Sequence, residues 1–437
     1  MKVGNYRWRM IALLFFATTV NYIDRQVLSF VMTDPFFKKQ MLGLSPDAIL
    51  TDQNLSDFKI SFGLVDAAFK AAYAIGFLVV GWLIDKIGTK KGYTVGILIW
   101  SLSGMATFFV STFGGLRMVR FMLGIGESAN FPSAIKTVSE WFPKKEHSFA
   151  AGVFNAGSNV GIIITAICIP YIVLNYGWRS AFIFTGIFGM ILLVTWWLTY
   201  SKPEDAPKLS KEEFDYIKSD NNETLPNAEK ISWFKLLSYK QTWALAIGKF
   251  LADPIWWFYM TWLPDFFNTN EALDQKLDLK SFGLPFLVIY LISDFGSMFF
   301  GWLSTQFINM GWTANRARKT TMLICALCIT PIYFASTTHS LYTAIALIAL
   351  ATAAHQGWSA NMYTFPGGLF PKNVVASVTG IGGMFGAVGG VLLAAAAGYI
   401  IANFGYRPMF IIASCSYLIA LTLIHIILPR MEPVKLD

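Results

Sequence analysis

Ten ionisable residues interrupt apolar stretches of the chain: the cations Arg25, Lys70, Arg120, Lys136 and Lys249, and the acids Asp24, Asp66, Glu127, Asp253 and Asp294. Each charge costs about 2.5–3.5 kcal/mol in hydrocarbon unless it faces a cavity or a partner. An inert scaffold is not expected to carry ten of them, so they are expected to line a polar pathway. Arg120 and Glu127, in RFMLGIGESANFPS, are seven residues apart. On a helix that is two turns, so they share a face, with Asn130 one turn beyond Glu127. Asp24 and Arg25 lie in the run NYID-R. A guanidinium presents a rigid fork of donors to a carboxylate, and a carboxyl in low dielectric can load and release a proton near neutral pH. Cations that bind an anion beside acids that carry a proton are the parts of a proton-coupled anion carrier. The competing reading is a static Arg–Glu or Asp–Arg ion pair that only fixes helix packing.

Further polar groups fall at helical spacing. Asp66, Lys70 and Tyr73 lie at i, i+4 and i+7 on one stripe, where Asp66 and Lys70 could also pair internally. VFNAGSNVG carries Asn155, Ser158 and Asn159, suited either to sugar hydroxyls or to gluing helices together. Gly152, Gly157 and Gly161 in the same run are expected to admit close helix packing. KFLADPIWWFYMTWLP places Lys249 and Asp253 one turn apart, with Pro254 weakening the backbone ladder and Trp256 and Trp257 in the position of an aromatic belt. AHQGWSANMYTFPGG carries His355, Gln356, Ser359 and Asn361, with His355 and Ser359 on one face. His147, His339, His355 and His425 are scattered singly, which disfavours a membrane-embedded hydrolase. Cys325 and Cys328 have CxxC spacing without a second pair or a nearby His. They read as apolar packing residues rather than a metal site.

The elements that position these groups follow from composition. Of 437 residues, 55% are hydrophobic and 14% charged, against about a quarter charged in soluble domains. That leaves about 240 hydrophobic residues, enough for about twelve crossings of about 20 residues each. Apolar runs and breakers predict helices over 10–33, 58–84, 92–112, 114–140, 148–173 and 178–200. A second set follows over 242–267, 282–308, 319–338, 341–370, 374–402 and 406–428. The expected organisation is an all-α polytopic membrane protein. A six-helix bundle spans residues 1–200, a polar linker with room for one short amphipathic helix spans 201–241, and a second bundle spans 242–437. The first apolar run is long enough to span and contains Asp24 and Arg25, so it reads as a mature helix rather than a signal peptide.

The chain has 34 Lys+Arg and 26 Asp+Glu. Twenty-one of the cations collect on the linker side of the predicted helices, eight on the opposite side and five within the spans. The positive-inside rule then places both termini in the cytoplasm. The basic excess sets orientation and calls for no nucleic-acid partner.

After the second predicted helix the chain reads Gly81-Trp-Leu-Ile-Asp85-Lys86-Ile-Gly88-Thr-Lys90-Lys91. A degenerate copy begins at Gly301-Trp-Leu-Ser-Thr305. This resembles the loop signature G-x-L-x-D-[KR]-x-G-[RK]-[KR] of the major facilitator superfamily, and the resemblance implies gating of the cytoplasmic side by Gly81, Asp85, Gly88 and Lys90. A plain helix cap is the alternative for Asp85, and the second copy has Thr305 where the Asp would stand. The first- and fourth-helix residues with GWRSAFIFTG resemble the anion:cation symporter branch. SEWFPKKEHSFAAGVFNAGSNVG, KFLADPIWWFYMTWLP and AHQGWSAN resemble its hexuronate transporter group. The resemblance implies two pseudo-symmetric bundles holding substrate between them, and import of glucuronate or galacturonate with a proton by alternating access. It implies Arg25, Arg120 and Tyr73 as substrate ligands, and Asp24 and Glu127 as proton carriers; by residue type and spacing Lys70, Asn155, Ser158, Lys249, His355, Gln356 and Asn361 are further candidate ligands. No cofactor or metal is implied, and a monomer in the bacterial cytoplasmic membrane is expected. Other readings remain open: a symporter for an aldonate, aldarate or other organic anion, a drug/proton antiporter, and a membrane sensor that does not transport.

Overall fold

The structure is a computed structural model that describes residues 4–143, 146–219, 233–370 and 374–434. It is all-helical. In chain order the helices are α1 (Arg7–Val31), α2 (Pro35–Met41), α3 (Asp52–Ile87), α4 (Thr89–Ala106), α5 (Phe113–Glu127), α6 (Asn130–Trp141), α7 (His147–Tyr176) and α8 (Trp178–Thr199). They continue with α9 (Lys211–Lys218), α10 (Trp233–Leu236), α11 (Lys240–Thr269), α12 (Gly283–Asn309), α13 (Ala314–Ile329), α14 (Leu341–Leu369), α15 (Val375–Phe404) and α16 (Arg407–Ile427). Residues 1–48 and 68–227 form one compact unit, and residues 49–67 and 228–437 a second.

Among the described residues, eight helical segments are long and apolar enough to cross a membrane. Of the twelve segments expected, those that fall short are the first, fourth, seventh and tenth. They hold Asp24 and Arg25, Arg120 and Glu127, Lys249 and Asp253, and His355 and Gln356. The first, seventh and tenth are long enough but too polar, whereas the fourth is split into helices of 15 and 12 residues. The remaining helices are apolar outward. α8 exposes Phe184, Ile187, Phe188, Ile191, Val194 and Leu198 while burying Thr185, Gly186 and Gly189, which is the pattern of a surface that faces lipid.

The fourth segment departs from the single helix expected over 114–140, because it is two helices broken at Ser128–Ala129. Pro132 is the reason. It has no N–H for the Ser128 carbonyl, and its ring crowds that position. The third and ninth segments each end in a 3-10 stretch, Thr107–Phe109 and Thr330–Ser336.

The same neighbours recur within each unit. In the first, α1 packs on α7 and α8, and α4 on α5 and α8; in the second, α11 packs on α15 and α16, and α13 on α14 and α16. Glycines permit the closest crossings. A Cβ on Gly157 or Gly161 of α7 would stand 2.6 Å from the Phe15 carbonyl oxygen or 2.5 Å from that of Thr19 on α1. In the second unit Gly389 of α15 abuts the Phe250 carbonyl of α11 in the same way. Gly152, expected to share this role, would meet no described atom within 4 Å. Gly177 and Gly405 open α8 and α16 at φ +79° and +69°, a conformation that a Cβ disfavours.

The linker supplies the short helix α9, N-capped by Ser210, whose Oγ accepts from Glu213 N at 3.2 Å. Glu213 is buried and accepts the first backbone N–H groups of α1, from Tyr6 at 3.1 Å and Arg7 at 3.0 Å. Arg7 also donates from Nε to Glu146 at 3.0 Å and from Nη1 to Glu213 at 3.2 Å, so α9 caps the positive end of α1. In the second unit a carboxy-terminal strap plays the corresponding part. Lys319 Nζ donates to the carbonyls of Leu428 at 2.6 Å and Pro429 at 2.8 Å, and Val434 N donates to Leu369 O at 2.8 Å.

Candidate functional site

In the first unit the charged residues of α1 and α5 meet. Arg25 donates from Nε to Glu127 Oε2 at 2.8 Å. The Glu127 side chain is fully buried and that of Arg25 12% exposed. This pair crosses between helices, unlike either sequence-neighbour pair that local spacing suggested. Arg120 turns to the backbone of α1 and donates to the carbonyls of Asp24 at 3.4 Å and Arg25 at 3.0 Å. Both residues on the shared face of α5 therefore engage α1, one through its carbonyls and one through Arg25. Aromatic rings enclose the Arg25 guanidinium, with Tyr22, Tyr73 and Phe69 centroids at 4.6, 4.7 and 5.5 Å. Such faces favour a cation without neutralising it. Asn21 Oδ1 accepts from Arg25 at 3.4 Å.

Asp24 points away from this cluster. Its carboxylate is buried beside Gly104 of α4 and against the Thr185 side chain of α8. Lys70 is 5% exposed on α3, and Lys136 donates to the Ile84 carbonyl at the end of that helix at 3.3 Å. On α7 Asn155 is exposed, while Ser158 donates to the Asn155 carbonyl at 2.7 Å within its own helix.

In the second unit Lys249 and Asp253 of α11 pair at 2.8 Å, with side chains 9% and 23% exposed. The Tyr363 ring of α14 lies 4.8 Å from Lys249 Nζ. His355 is buried, stacks on Trp256 with centroids 5.0 Å apart, and its Nδ1 lies 2.5 Å from the Tyr417 hydroxyl. Trp256 is therefore a packing partner inside the unit. Gln356 is half-buried, and Asn361 donates to the Gly357 carbonyl of its own helix at 2.9 Å.

In the loop signature Gly88 has φ +86° at the turn from α3 to α4, which explains glycine there. A Cβ at Gly81 would meet no described atom within 4 Å. Lys90 lies 5.2 Å from the Trp197 ring, and its carbonyl accepts from Trp196 Nε1 at 3.2 Å. The side chain of Asp85 lies outside the described residues.

Sequence reasoning passed over three polar groupings. Asp265 of α11 is fully buried, accepts from the Tyr406 hydroxyl at 2.6 Å and lies 3.8 Å from Lys59 Nζ. Tyr93 donates to Asn130 at 2.5 Å in the core of the first unit. The third is the Arg7–Glu146–Glu213 cluster. None has local spacing that announces it, since each joins positions far apart in the chain.

The comparisons agree with this architecture. The family model described as Major Facilitator Superfamily matches residues 14–394 and 305–437. The chain is 29% identical over 438 residues to the hexuronate transporter of Escherichia coli (strain K12), covering 99% of this chain and 96% of that protein. It is 30% identical over 308 residues to the galacturonate transporter of Dickeya chrysanthemi, covering 70% of this chain and 84% of the relative. Among solved structures, the xylose transporter XylE from E. coli in an inward-open conformation superposes with a TM-score of 0.72 at 12% identity, over 97% of this chain and 96% of that one. On this family match and fold, the chain is a multi-pass membrane transporter, not an enzyme, and belongs to the Major Facilitator Superfamily.

Proposed function

We propose that the protein imports a sugar-acid anion, best a hexuronate such as glucuronate or galacturonate, by proton symport with alternating access. Arg25 carries the proposal. It is a guanidinium ringed by Tyr22, Phe69 and Tyr73 and held by one fully buried carboxylate, that of Glu127. A substrate carboxylate can take Arg25 only by competing with Glu127. Protonation of Glu127 removes the competitor and frees the fork for the substrate, which ties anion binding to a proton. Asp24, buried beside Gly104 and Thr185, is the second proposed proton carrier. Arg120 holds the α1 backbone beneath the site, and Lys70, Tyr73 and Lys249 are further proposed contacts. Hexuronate and galacturonate carriers among the relatives support a sugar acid over other anions. The proposed orientation places both termini in the cytoplasm, following the distribution of cations. In this reading residues 1–200 and 242–437 are the moving halves and the linker at 201–241 joins them.

Uptake of labelled glucuronate into proteoliposomes, driven by an inward proton gradient, tests this directly. Accumulation that follows the proton gradient, is indifferent to sodium and is competed by galacturonate is expected. Accumulation driven by sodium alone would overturn the coupling, and preference for an aldarate or an aldonate would move the substrate to another sugar acid. Loss of proton movement in a Glu127→Gln/Asp24→Asn double variant is the corresponding site test.

A further inference from the structure

The function proposed above uses Lys249 as an anion ligand and leaves unassigned the carboxylate one turn away. The Lys249 ammonium is already engaged, with Asp253 Oδ2 at 2.8 Å. The surroundings hold that pair in register. α15 presents glycines to it: Gly386 stands directly against Asp253 Oδ2, and a Cβ on Gly382 would lie 3.1 Å from Lys249 Cδ. α14 contributes the Tyr363 ring 4.8 Å from Nζ. The other titratable groups near the pair are His355 and Tyr417, bonded to each other at 2.5 Å. Lys249 is buried, while Asp253 keeps 23% of its side chain exposed. The carboxylate is thus the accessible member of the pair.

An arriving anion would meet an ammonium whose charge is spent. Two carboxylates on one ammonium leave an excess negative charge in apolar surroundings, which is costly. We infer that Asp253 is an internal counter-ion that holds Lys249 in the unloaded protein, yields it to the substrate carboxylate on binding, and reclaims it on release. Asp253 is in this sense a positioning residue. It sets how tightly the second unit holds the anion, and so how readily the anion leaves. This inference rests on the proposal that Lys249 binds the substrate.

The test is glucuronate binding to the full-length protein in lipid nanodiscs, paired with initial uptake rates in proteoliposomes, for wild type, Asp253→Asn and Gly386→Ala. Asp253→Asn removes the competitor. Binding is expected to tighten about tenfold, the scale of one charge-assisted hydrogen bond, while the maximal uptake rate falls because release slows. Gly386→Ala, whose Cβ would displace the Asp253 carboxylate, is expected to shift affinity the same way by less, and it keeps the question answerable if Asp253→Asn does not fold. The tightening should vanish in Lys249→Met/Asp253→Asn. A merely structural role would lower affinity and rate together. Wild-type binding with unchanged or weaker affinity in both single variants would overturn the counter-ion role alone. Wild type that binds no sugar acid would overturn the transport proposal along with it.

Discussion

The two units each hold a cation with a carboxylate at 2.8 Å, yet they build the pair differently. In the first, Arg25 of α1 reaches Glu127 of α5, and the carboxylate is fully buried. In the second, Lys249 and Asp253 sit one turn apart on α11, and the carboxylate side chain keeps 23% of its surface exposed. A pair that joins two helices makes their packing depend on its charge state, whereas a pair within one helix can open without moving a neighbour. The first is therefore suited to coupling a charge change to helix movement, and the second to grading affinity.

The sharpest way to break this contrast is to remove one cation from each pair. Arg25→Met leaves a buried, unpaired Glu127, and breaking a buried pair in this way costs about 3–5 kcal/mol. A large drop in thermal unfolding temperature and complete loss of uptake are expected. Arg25→Met/Glu127→Gln should recover most of the stability and none of the uptake. Recovery of uptake in the double variant would mean that the pair is structural only.

Lys249→Met is expected to act on binding rather than on folding. Asp253 is left on its own helix with 23% of its side chain exposed rather than fully buried, so the unfolding temperature should move little. Glucuronate affinity should fall about ten- to hundredfold, in line with the loss of a charge-assisted contact. Uptake kinetics beside a thermal melt separate the two variants, and an equal loss of stability in both would erase the distinction between the units.

Packing is where the units should behave alike. Gly161→Val would drive a side chain into the Thr19 carbonyl, and Gly389→Val into that of Phe250. Overpacking of this kind costs about 1–3 kcal/mol. Both variants are expected to lower the unfolding temperature by similar amounts, while Gly152→Val, which meets open space, leaves it unchanged. A loss confined to one unit would show that their shared helix neighbours do not carry shared energetics.

Much of the fold was legible in the sequence because lipid imposes a coarse rule: about 20 apolar residues, then a polar break. The break at α5–α6 is also written in the sequence, at Pro132. Gly177-Trp-Arg and Gly405-Tyr-Arg, opening α8 and α16, are a second trace of the internal repeat beside Gly81-Trp-Leu and Gly301-Trp-Leu. The residue types of the candidate site were legible for the same reason as the spans, since charges in hydrocarbon stand out. Their partners were not. Spacing along one helix pointed from Arg120 to Glu127, but helix packing brought Arg25 to Glu127 and turned Arg120 to carbonyls. Periodicity fixes the face of a residue and leaves open which neighbouring helix that face meets.

The smallest expected difference lies where the ends of the units are fastened. The linker of the first unit carries carboxylate pairs, including Lys218 with Glu204 at 2.6 Å, whereas the second relies on Lys319 and backbone carbonyls. The hydrogen bond from Lys218 holds the Glu204 carboxyl below the usual glutamate range. A depressed acid contributes its stability above its unfolded value and loses it as pH falls through the folded one. Both partners are substantially exposed, so the effect is screened and small. Hydrogen-exchange protection of the amides of α9 is expected to hold from neutral pH down to the ordinary glutamate range of about 4 and to decline slightly as pH falls further, and less so in Lys218→Met. Protection at Val434, which bonds the Leu369 carbonyl, should not follow. A parallel decline there would mean that the two fastenings respond to pH together, and that their difference in chemistry makes no difference to how the ends are held.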